Sequence, residues 1–310
     1  MTHVNQRIAY GNALIELGQR NKNVVVLDAD LGSSTMGRMF EDKFPDRHFE
    51  IGIAEANMTS MAAGLALTGK IPFVNSFAVF ASGRSFDQIR QSVAIGNVNV
   101  KIVGSSTGLS DFGDGATHQA IEDLAIMRAL PNMTVLSPAD PNEAYQAALA
   151  AAEFNGPVYL RINRADYPSI IPADKPFVIG ENAVLQDGDE VVIFATGYMV
   201  NLALEAVKLL QGKVSAKVVN IHTIKPMDSA KIAKLTAGAK AIVTVEEHNI
   251  VGGLGSAIAE VMRHNPLPME FIGLNDTFGR SAHNYAELLE YFELTPEKIA
   301  ETAVKMAKGE

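Results

Sequence analysis

Glu55 is the residue whose position most directly suggests chemistry. It stands in FEIGIAEANM, residues 49–58, where an apolar strand runs into a helix of small residues and the sequence places no cation beside it. The helix dipole by itself accounts for an acid in a first helical turn. Ligands of open α/β sheets, however, bind at the carboxyl ends of strands. A carboxylate in apolar surroundings there could also share a proton with a bound molecule.

Aromatic and polar side chains follow two later strands. In FAVFASGRSFDQIRQS, Phe77 and Phe80 are three residues apart, which fits either two core aromatics of a helix or a platform for a flat heterocycle. In GLSDFGDGATHQAIEDLA, a run of turn residues leads to Thr117, a candidate N-cap, and to His118. A histidine at the start of a helix is more often structural than catalytic, but the GDG turn before it indicates a close approach of the backbone to a ligand.

Basic residues provide candidate contacts to an anion. Arg161 and Arg164 stand in YLRINRADYP, at the predicted end of a strand. They are either solvated surface residues or a pair of guanidinium groups that binds a phosphate in a bidentate manner. Arg7, in NQRIAYG, and Ser34, in DADLGSST, are weaker candidates by the same reasoning.

The composition limits the classes of function. The chain has 26 Lys and Arg against 35 Asp and Glu, a formal net charge of -9, which argues against a nucleic-acid-binding surface but leaves room for a local basic pocket. The absence of cysteine excludes a thiol nucleophile and a cysteine-ligated metal. The first residues do not follow the pattern of a signal peptide, and no apolar run approaches the ~20 residues that span a membrane. We therefore expect a cytoplasmic protein with no membrane partner.

The elements that must position these residues alternate between strand and helix. Helices are predicted over Val4–Leu17 and Thr117–Leu130, among others. Six short apolar segments, mostly β-branched, are predicted as strands buried on both faces. They are Val24–Leu27, Phe49–Ile53, Ile71–Val74, Val100–Val103, Thr134–Leu136 and Val158–Ile162. This alternation predicts a mostly parallel sheet with helices on both faces.

A change of composition divides the chain. Residues 166–189 contain three prolines and many turn residues, and they are predicted as a linker with a short strand near Phe177–Ile179. The alternation then resumes with the strands VVIFATG, SAKVVNI, AIVTVEEH and MEFIGL and ends in a helix over Pro296–Lys308. We therefore predict two three-layer α/β/α domains, over residues 1–165 and 190–310.

The order of these motifs resembles the second half of transketolases. DADLGSST, EIGIAEANM, FAVFASG, DGATHQAIEDLAIMRALPNMTVLSPADPNE, RINRADYP and VEEHNIVGGLGSAI follow one another as in that family, over essentially the whole chain. The resemblance implies a pyrimidine-binding domain followed by a transketolase C-terminal domain, as in the C-terminal subunit of a split, two-polypeptide transketolase. The diphosphate-binding half would then be a separate subunit.

One apparent metal motif is a decoy. The spacing from Gly113-Asp114-Gly115 to Asn142 imitates the motif with which thiamine diphosphate enzymes hold Mg²⁺ and the diphosphate. Asn142, however, lies in PADPNEAYQAAL, which is typical of a first helical turn rather than of a metal-binding loop. We therefore assign no metal ligand to this chain and expect the true motif on the partner subunit.

The resemblance implies cofactor roles for four residues. Glu55 matches the catalytic glutamate, which hydrogen-bonds N1′ of the aminopyrimidine ring of thiamine diphosphate and so favours the imine that removes the thiazolium C2 proton. Phe77 and Phe80 match the aromatic residues that pack on this ring. Asp30 matches an aspartate on the cofactor side.

Other matches concern the substrate. Asp114 and His118 match residues that contact the donor ketose near the reacting carbon, which makes His118 a second catalytic candidate. Arg7, Ser34 and Arg164 look like the group that holds a terminal phosphate.

Two positions depart from the family pattern. Ser106 stands where transketolases usually have a phosphate-contacting histidine, so the sugar could end in a phosphate, a sulfonate or no anion. Gly83 stands where a further aromatic residue is common. VEEHNIVGGLG, residues 245–255, is predicted to contribute packing and subunit contacts and no chemistry.

The resemblance implies transfer of a two-carbon ketol unit from a ketose to an aldose, with thiamine diphosphate and Mg²⁺ as cofactors. The implied assembly is an α2β2 heterotetramer with the transketolase N-terminal subunit. Alternatives are a 1-deoxyxylulose-5-phosphate synthase-like enzyme and the β-subunit of a 2-oxo acid dehydrogenase. A third alternative is a non-catalytic scaffold subunit, but the intact set of site residues argues against it.

Overall fold

The computed structural model describes residues 3–310 as a mixed α/β chain. The strands are β1 (His3–Asn5), β2 (Val24–Asp28), β3 (His48–Glu50), β4 (Ile71–Phe77), β5 (Lys101–Ser105), β6 (Thr134–Leu136), β7 (Val158–Ile162), β8 (Asp166–Pro168), β9 (Ala183–Gln186), β10 (Val191–Ala195), β11 (Ala216–Asn220), β12 (Thr223–Lys225), β13 (Ala241–Asn249) and β14 (Met269–Leu274). The helices are α1 (Gln6–Arg20), α2 (Gly32–Thr35), α3 (Gly37–Glu41), α4 (Glu55–Leu67), α5 (Phe86–Gln88), α6 (Asp123–Ala129), α7 (Pro141–Glu153), α8 (Met199–Leu210), α9 (Ser229–Leu235), α10 (Leu254–Met262), α11 (Tyr285–Tyr291) and α12 (Pro296–Lys308). Val79–Arg84 and Ile89–Ala94 are π-helical, on either side of α5.

The first sheet has seven strands in the order β12-β6-β7-β5-β4-β2-β3. All neighbours are parallel except β12 and β6. Strands β2, β5 and β7 are buried along their whole length, which explains why most of their residues are apolar. Helices α1 and α7 pack on one face of the sheet and α4 and α6 on the other.

The second sheet has five strands in the order β14-β13-β10-β11-β9, with only the β9–β11 pair antiparallel within the described residues. Helices α8 and α12 cover one face, and α9 and α10 cover the other. The prediction of two mostly parallel α/β sheets with helices on both faces is confirmed. No helix within residues 3–310 is both long and apolar enough to cross a membrane.

The segment between the two large sheets contributes one strand to a separate two-stranded sheet and one to the second large sheet. β8 pairs with β1, and β9 extends the second sheet. The predicted strand near Phe177–Ile179 is wrong, because Phe177 instead packs its ring against His222, with 4.3 Å between the ring centroids. Farther along the chain, β12 returns to pair with β6 of the first sheet.

The strand predicted over Phe49–Ile53 ends earlier, at Glu50. The Glu50 carboxylate accepts hydrogen bonds from the backbone N–H groups of Asp30 (2.8 Å) and Gly52 (2.9 Å). Gly52 has a φ of 74°, a conformation that glycine adopts easily and that ends the extended chain. The turn delivers the chain to the first residue of α4, Glu55.

The helix predicted over Thr117–Leu130 begins only at Asp123. The backbone N–H of Gly108 donates to the carbonyl of Ala120 (2.9 Å), which holds the preceding residues out of the helix. Thr117 is therefore not an N-cap, and His118 lies in the loop before α6 instead of at a helix start.

Candidate active site

The predicted site residues gather at the carboxyl edge of the first sheet. β2 leads to Asp30 and Ser34, β3 to Glu55, β4 to Phe77 and Phe80, β5 to Ser106, Asp114 and His118, and β7 to Arg164. Arg7 joins them because Asn5 caps α1, accepting a hydrogen bond from the Arg7 backbone N–H (2.9 Å). The Asn5 side chain also donates to the carbonyl of Arg164.

Glu55 is paired with a cation. Its side chain is 1% exposed, and Nη1 of Arg84 lies 2.8 and 2.9 Å from its two carboxylate oxygens. The expectation of an acid without a cation beside it is therefore wrong, because the π-helical turn after β4 brings Arg84 to the start of α4. Arg84 is 47% exposed, so this ion pair is open to solvent on one side.

Aromatic rings continue from this pair. Phe77 and Phe80 are stacked with 6.2 Å between centroids, and the guanidinium of Arg84 lies 4.4 Å from the Phe80 centroid. His118 meets Phe80 edge-on at 5.2 Å, and its Nδ1 is 2.9 Å from the Thr117 hydroxyl. A buried carboxylate, a flat apolar surface and an imidazole thus adjoin one another, an arrangement that suits a heteroaromatic ring with a basic nitrogen.

Two guanidinium groups lie close together on the other side of the site. Arg164 pairs with Asp111 at 2.7 Å, and Arg7 donates to the carbonyl of Ser34 (2.9 Å). Burial and the neighbouring charge of Arg164 lower the pKa of Arg7. An anion bound between these like charges would relieve their repulsion.

Asp111 was missed by the sequence analysis, as was the pairing of Arg84. Burial raises the pKa of Asp111 and Asp114 adds to the effect, whereas Arg164 opposes it. The signals that could have indicated these residues are weak: Asp111 comes three residues before Asp114, and Arg84 four after Phe80.

Three further candidates differ in their surroundings. Arg161 is buried and donates to both oxygens of Asp123 (2.8 and 3.1 Å), so it is not available to bind a phosphate. Ser106 is fully buried, and its hydroxyl has no hydrogen-bond partner within residues 3–310. Asp30 lies exposed on the turn after β2. A substrate contact by Ser106 and a cofactor contact by Asp30 stay predictions.

Asn142 lies in the first turn of α7, as predicted, and its amide donates to the carbonyl of Ile171 (2.7 Å). In the part of the chain that the structure describes, no three acidic or histidine side chains are arranged to hold a metal ion.

Two family models match this chain. Residues 2–169 match the transketolase pyrimidine-binding domain and residues 180–299 match the transketolase C-terminal domain. A putative transketolase C-terminal section from Methanocaldococcus jannaschii is 47% identical over 309 residues, covering 98% of this chain and 96% of the relative. A 6-deoxy-6-sulfo-D-fructose transketolase subunit from Clostridium sp. (strain MSTE9) is 40% identical over 300 residues, covering 96% and 92%.

A solved structure has the same fold over the full length. It is a split-gene transketolase described as an inactive β4 tetramer, 43% identical to this chain, with a TM-score of 0.90 and 99% of each chain covered. The chain therefore belongs to the transketolase family, in which it corresponds to the pyrimidine-binding and C-terminal domains.

Proposed function

We propose that this chain is the pyrimidine-binding subunit of a two-chain transketolase. The assembled enzyme would transfer a two-carbon ketol unit from a ketose to an aldose through thiamine diphosphate. The observation that carries the proposal is the buried carboxylate of Glu55 beside the Phe80 ring and His118 at the carboxyl edge of the sheet.

The side chains of this site fit the aminopyrimidine half of the cofactor. Phe80 is partly exposed and can offer a ring face to a flat heterocycle, with the buried Phe77 stacked on it. Glu55 offers a buried carboxylate to a ring nitrogen. When bound, thiamine diphosphate supplies the nucleophilic carbon that takes up the ketol unit. Glu55 would hold the proton at N1′, and Arg84 would give up or share its contact with Glu55 as the ring enters. We assign Mg²⁺ and the diphosphate to the partner subunit.

A partner subunit is proposed from the relatives and from the surface around α4. Two similar proteins are named as a section or a subunit of a transketolase, and the split-gene structure is described as an inactive β4 tetramer. Around α4, Ile53 is 74% and Leu67 78% exposed, with Met61 between them also exposed. Exposed apolar side chains before and along α4 suit contact with the transketolase N-terminal subunit in an α2β2 assembly.

The substrate proposal follows from the guanidinium groups. Arg7 and Arg164 lie near each other with Ser34 beside them, which suits the terminal anion of a sugar. The relative from Clostridium is named for a sulfonated sugar, and a sulfonate has the tetrahedral oxygen geometry of a phosphate. We therefore propose ketose donors that end in a phosphate or a sulfonate.

The test is Glu55→Gln in this chain, co-expressed with the N-terminal half. We expect ketol transfer to fall on the order of 10²- to 10⁴-fold, because the amide cannot hold the proton at the ring nitrogen. The matched control is Glu297→Gln, which removes an exposed acid from the first turn of α12 and should leave turnover unchanged. Activity of Glu55→Gln within a few-fold of wild type would contradict the proposed role.

The same preparation separates the alternative within the family. A ketol transferase consumes a ketose and an aldose without releasing CO₂. A 1-deoxyxylulose-5-phosphate synthase-like enzyme or a 2-oxo acid dehydrogenase subunit would instead release CO₂ from a 2-oxo acid. CO₂ release from pyruvate in the absence of ketol transfer would favour those alternatives.

A further inference from the structure

The motif VEEHNIVGGLG was predicted to contribute packing alone, yet one of its residues reaches the first domain. Glu247 lies near the end of β13, in the second sheet, and is buried. It faces residues 106–122, which connect β5 to α6 and which we call the substrate loop because they carry Asp111, Asp114 and His118.

The carboxylate of Glu247 joins two segments of the candidate site. Its Oε1 accepts a hydrogen bond from the backbone N–H of Leu109 (2.6 Å), two residues before Asp111. Its Oε2 accepts one from the side-chain amide of Asn163 (3.0 Å), which directly precedes Arg164. One side chain of the second domain therefore contacts both segments that carry the Arg164–Asp111 pair.

The substrate loop is shaped to receive this carboxylate. Gly108 has a φ of 61°, and a Cβ atom there would lie 2.4 Å from Cδ of Glu247. Only a residue without a side chain permits this approach.

The second domain also contacts the far part of the substrate loop. The backbone N–H of Ala282 donates to the carbonyl of Phe112 (2.9 Å). The side-chain amide of Gln119 donates to the carbonyls of Arg280 (3.0 Å) and Asp111 (3.2 Å). The loop is thus held at its beginning by Glu247 and at its tip by residues 280–282.

A buried acid at this position is costly to the fold unless it serves its hydrogen-bond donors. Burial raises the pKa of Glu247 to about 7, although the neighbouring charge of Arg161 lowers it. An apolar side chain of similar size would avoid that cost but would leave the Leu109 N–H and the Asn163 amide without an acceptor. The two hydrogen-bond donors that the Glu247 carboxylate satisfies therefore explain why an acid is buried here.

Glu246 provides a natural comparison. It is equally buried and stands one position earlier, but its carboxylate accepts hydrogen bonds from the backbone N–H groups of Leu254 (2.6 Å) and Gly255 (2.9 Å) at the start of α10. Its contacts stay within the second domain.

We propose that Glu247 is a positioning residue that fixes the substrate loop relative to Arg164, and that the second domain of this chain contributes to substrate binding through it. The role of Glu247 in fixing the substrate loop follows from its hydrogen bonds alone. Its consequence for ketol transfer rests on the proposed function.

The first test is hydrogen exchange of the full chain with Glu247→Ala, Glu247→Gln and Glu246→Ala. In Glu247→Ala the amide of Leu109 loses its acceptor, so its exchange should accelerate by about 10- to 100-fold together with the rest of the substrate loop. In Glu247→Gln a carbonyl oxygen still serves Leu109, so this amide should stay within about threefold of wild type. In Glu246→Ala the acceleration should appear at Leu254 and Gly255 and not in the loop.

Equal loop exchange in Glu247→Ala and wild type, or equal loop opening in Glu246→Ala, would overturn the proposal. If Glu247→Ala does not fold, Glu247→Leu replaces it, because it fills the space without providing an acceptor.

The second test uses the assembly with the N-terminal half. Glu247→Ala should lower kcat/KM for the donor ketose by on the order of 10- to 100-fold, whereas thiamine diphosphate affinity stays unchanged. Glu247→Gln keeps an acceptor for Leu109 but not for the Asn163 amide, so it should recover part of the loss. If the wild-type assembly performs no ketol transfer, the proposed function fails and hydrogen exchange alone decides the role of Glu247. If the assembly is active and both Glu247 variants match it, the positioning role fails.

Discussion

Two arginine–carboxylate pairs in the first domain have similar distances and opposite surroundings. Arg161 and Asp123 are both buried, the Tyr159 hydroxyl donates to the same carboxylate (2.8 Å), and Arg161 also donates to the carbonyl of Glu247 (2.9 Å). Glu55 is just as buried, but its partner Arg84 is half exposed and has a ring face beneath it. Both side chains of the first pair are buried in the protein. In the second pair the buried Glu55 is covered only by the half-exposed Arg84, so water could hydrate the carboxylate if Arg84 moved away.

The difference distinguishes a charge pair that is enclosed by the fold from one that a ligand could open. Burial alone would raise the pKa of Asp123, but the bidentate contact with Arg161 holds it below its usual range. Removing either member of such a closed pair leaves a buried charge without compensation. An open pair can exchange its guanidinium for a ligand, and the Arg164–Asp111 pair has the same character, since Arg164 is 39% exposed over a buried carboxylate.

The largest effect on stability is expected for the closed pair. Asp123→Asn should lower the free energy of unfolding by about 3–5 kcal/mol, because Arg161 loses its compensating charge in the interior. The measurement is urea denaturation of the purified chain. A loss below 1 kcal/mol would mean that Arg161 finds other compensation and that the two pairs do not differ as described.

For the open Arg164–Asp111 pair we expect an intermediate effect, which concerns substrate binding rather than folding. Arg164→Ala in the assembled enzyme should raise KM about 10- to 100-fold for a donor with a terminal phosphate or sulfonate. KM for an uncharged ketose should change little, and the free energy of unfolding should stay within about 1 kcal/mol. The control is Arg263→Ala, an exposed arginine of the second domain. Equal losses with charged and uncharged donors would show that Arg164 does not bind the anion.

The smallest effect on stability is expected at Arg84. Arg84→Ala should change the free energy of unfolding by less than about 1 kcal/mol, because water reaches Glu55 once the half-exposed side chain is removed. Arg84→Lys serves as the control that keeps the charge but not the planar contact with Phe80. A loss comparable with that of Asp123→Asn would remove the distinction between closed and open pairs.

The sequence predicts the strands well because their burial is a local property. Val24–Asp28 and Val158–Ile162 are mostly apolar or β-branched, with Asp28 and Arg161 as the exceptions, and both strands are buried at every position. One of the missed strands, Thr223–Lys225, has three residues and depends on pairing with β6, which lies far away in the chain. The start of α6 depends likewise on the contact between Gly108 and Ala120, which no local pattern encodes.

The candidate site likewise combines residues that local patterns predict with partners that they do not. Glu55, Phe80 and His118 come together because parallel strands bring their carboxyl ends to one edge of the sheet. Their partners could not be predicted in this way: Arg84 is 29 positions from Glu55, Arg164 is 53 from Asp111, and Glu247 is 138 from Leu109. Side chains that pair over such separations are fixed by the packing of whole layers.

Reconstitution tests the central claim most directly, that this chain carries one half of a thiamine diphosphate site. Ketol transfer is measured with thiamine diphosphate, Mg²⁺ and a phosphate- or sulfonate-terminated ketose for this chain alone, for the N-terminal half alone and for their mixture. We predict no turnover by either chain alone, and turnover that rises with the amount of this chain until the two are equimolar. Turnover by this chain alone, or a mixture that stays inactive when both chains are folded and associated, would contradict the account.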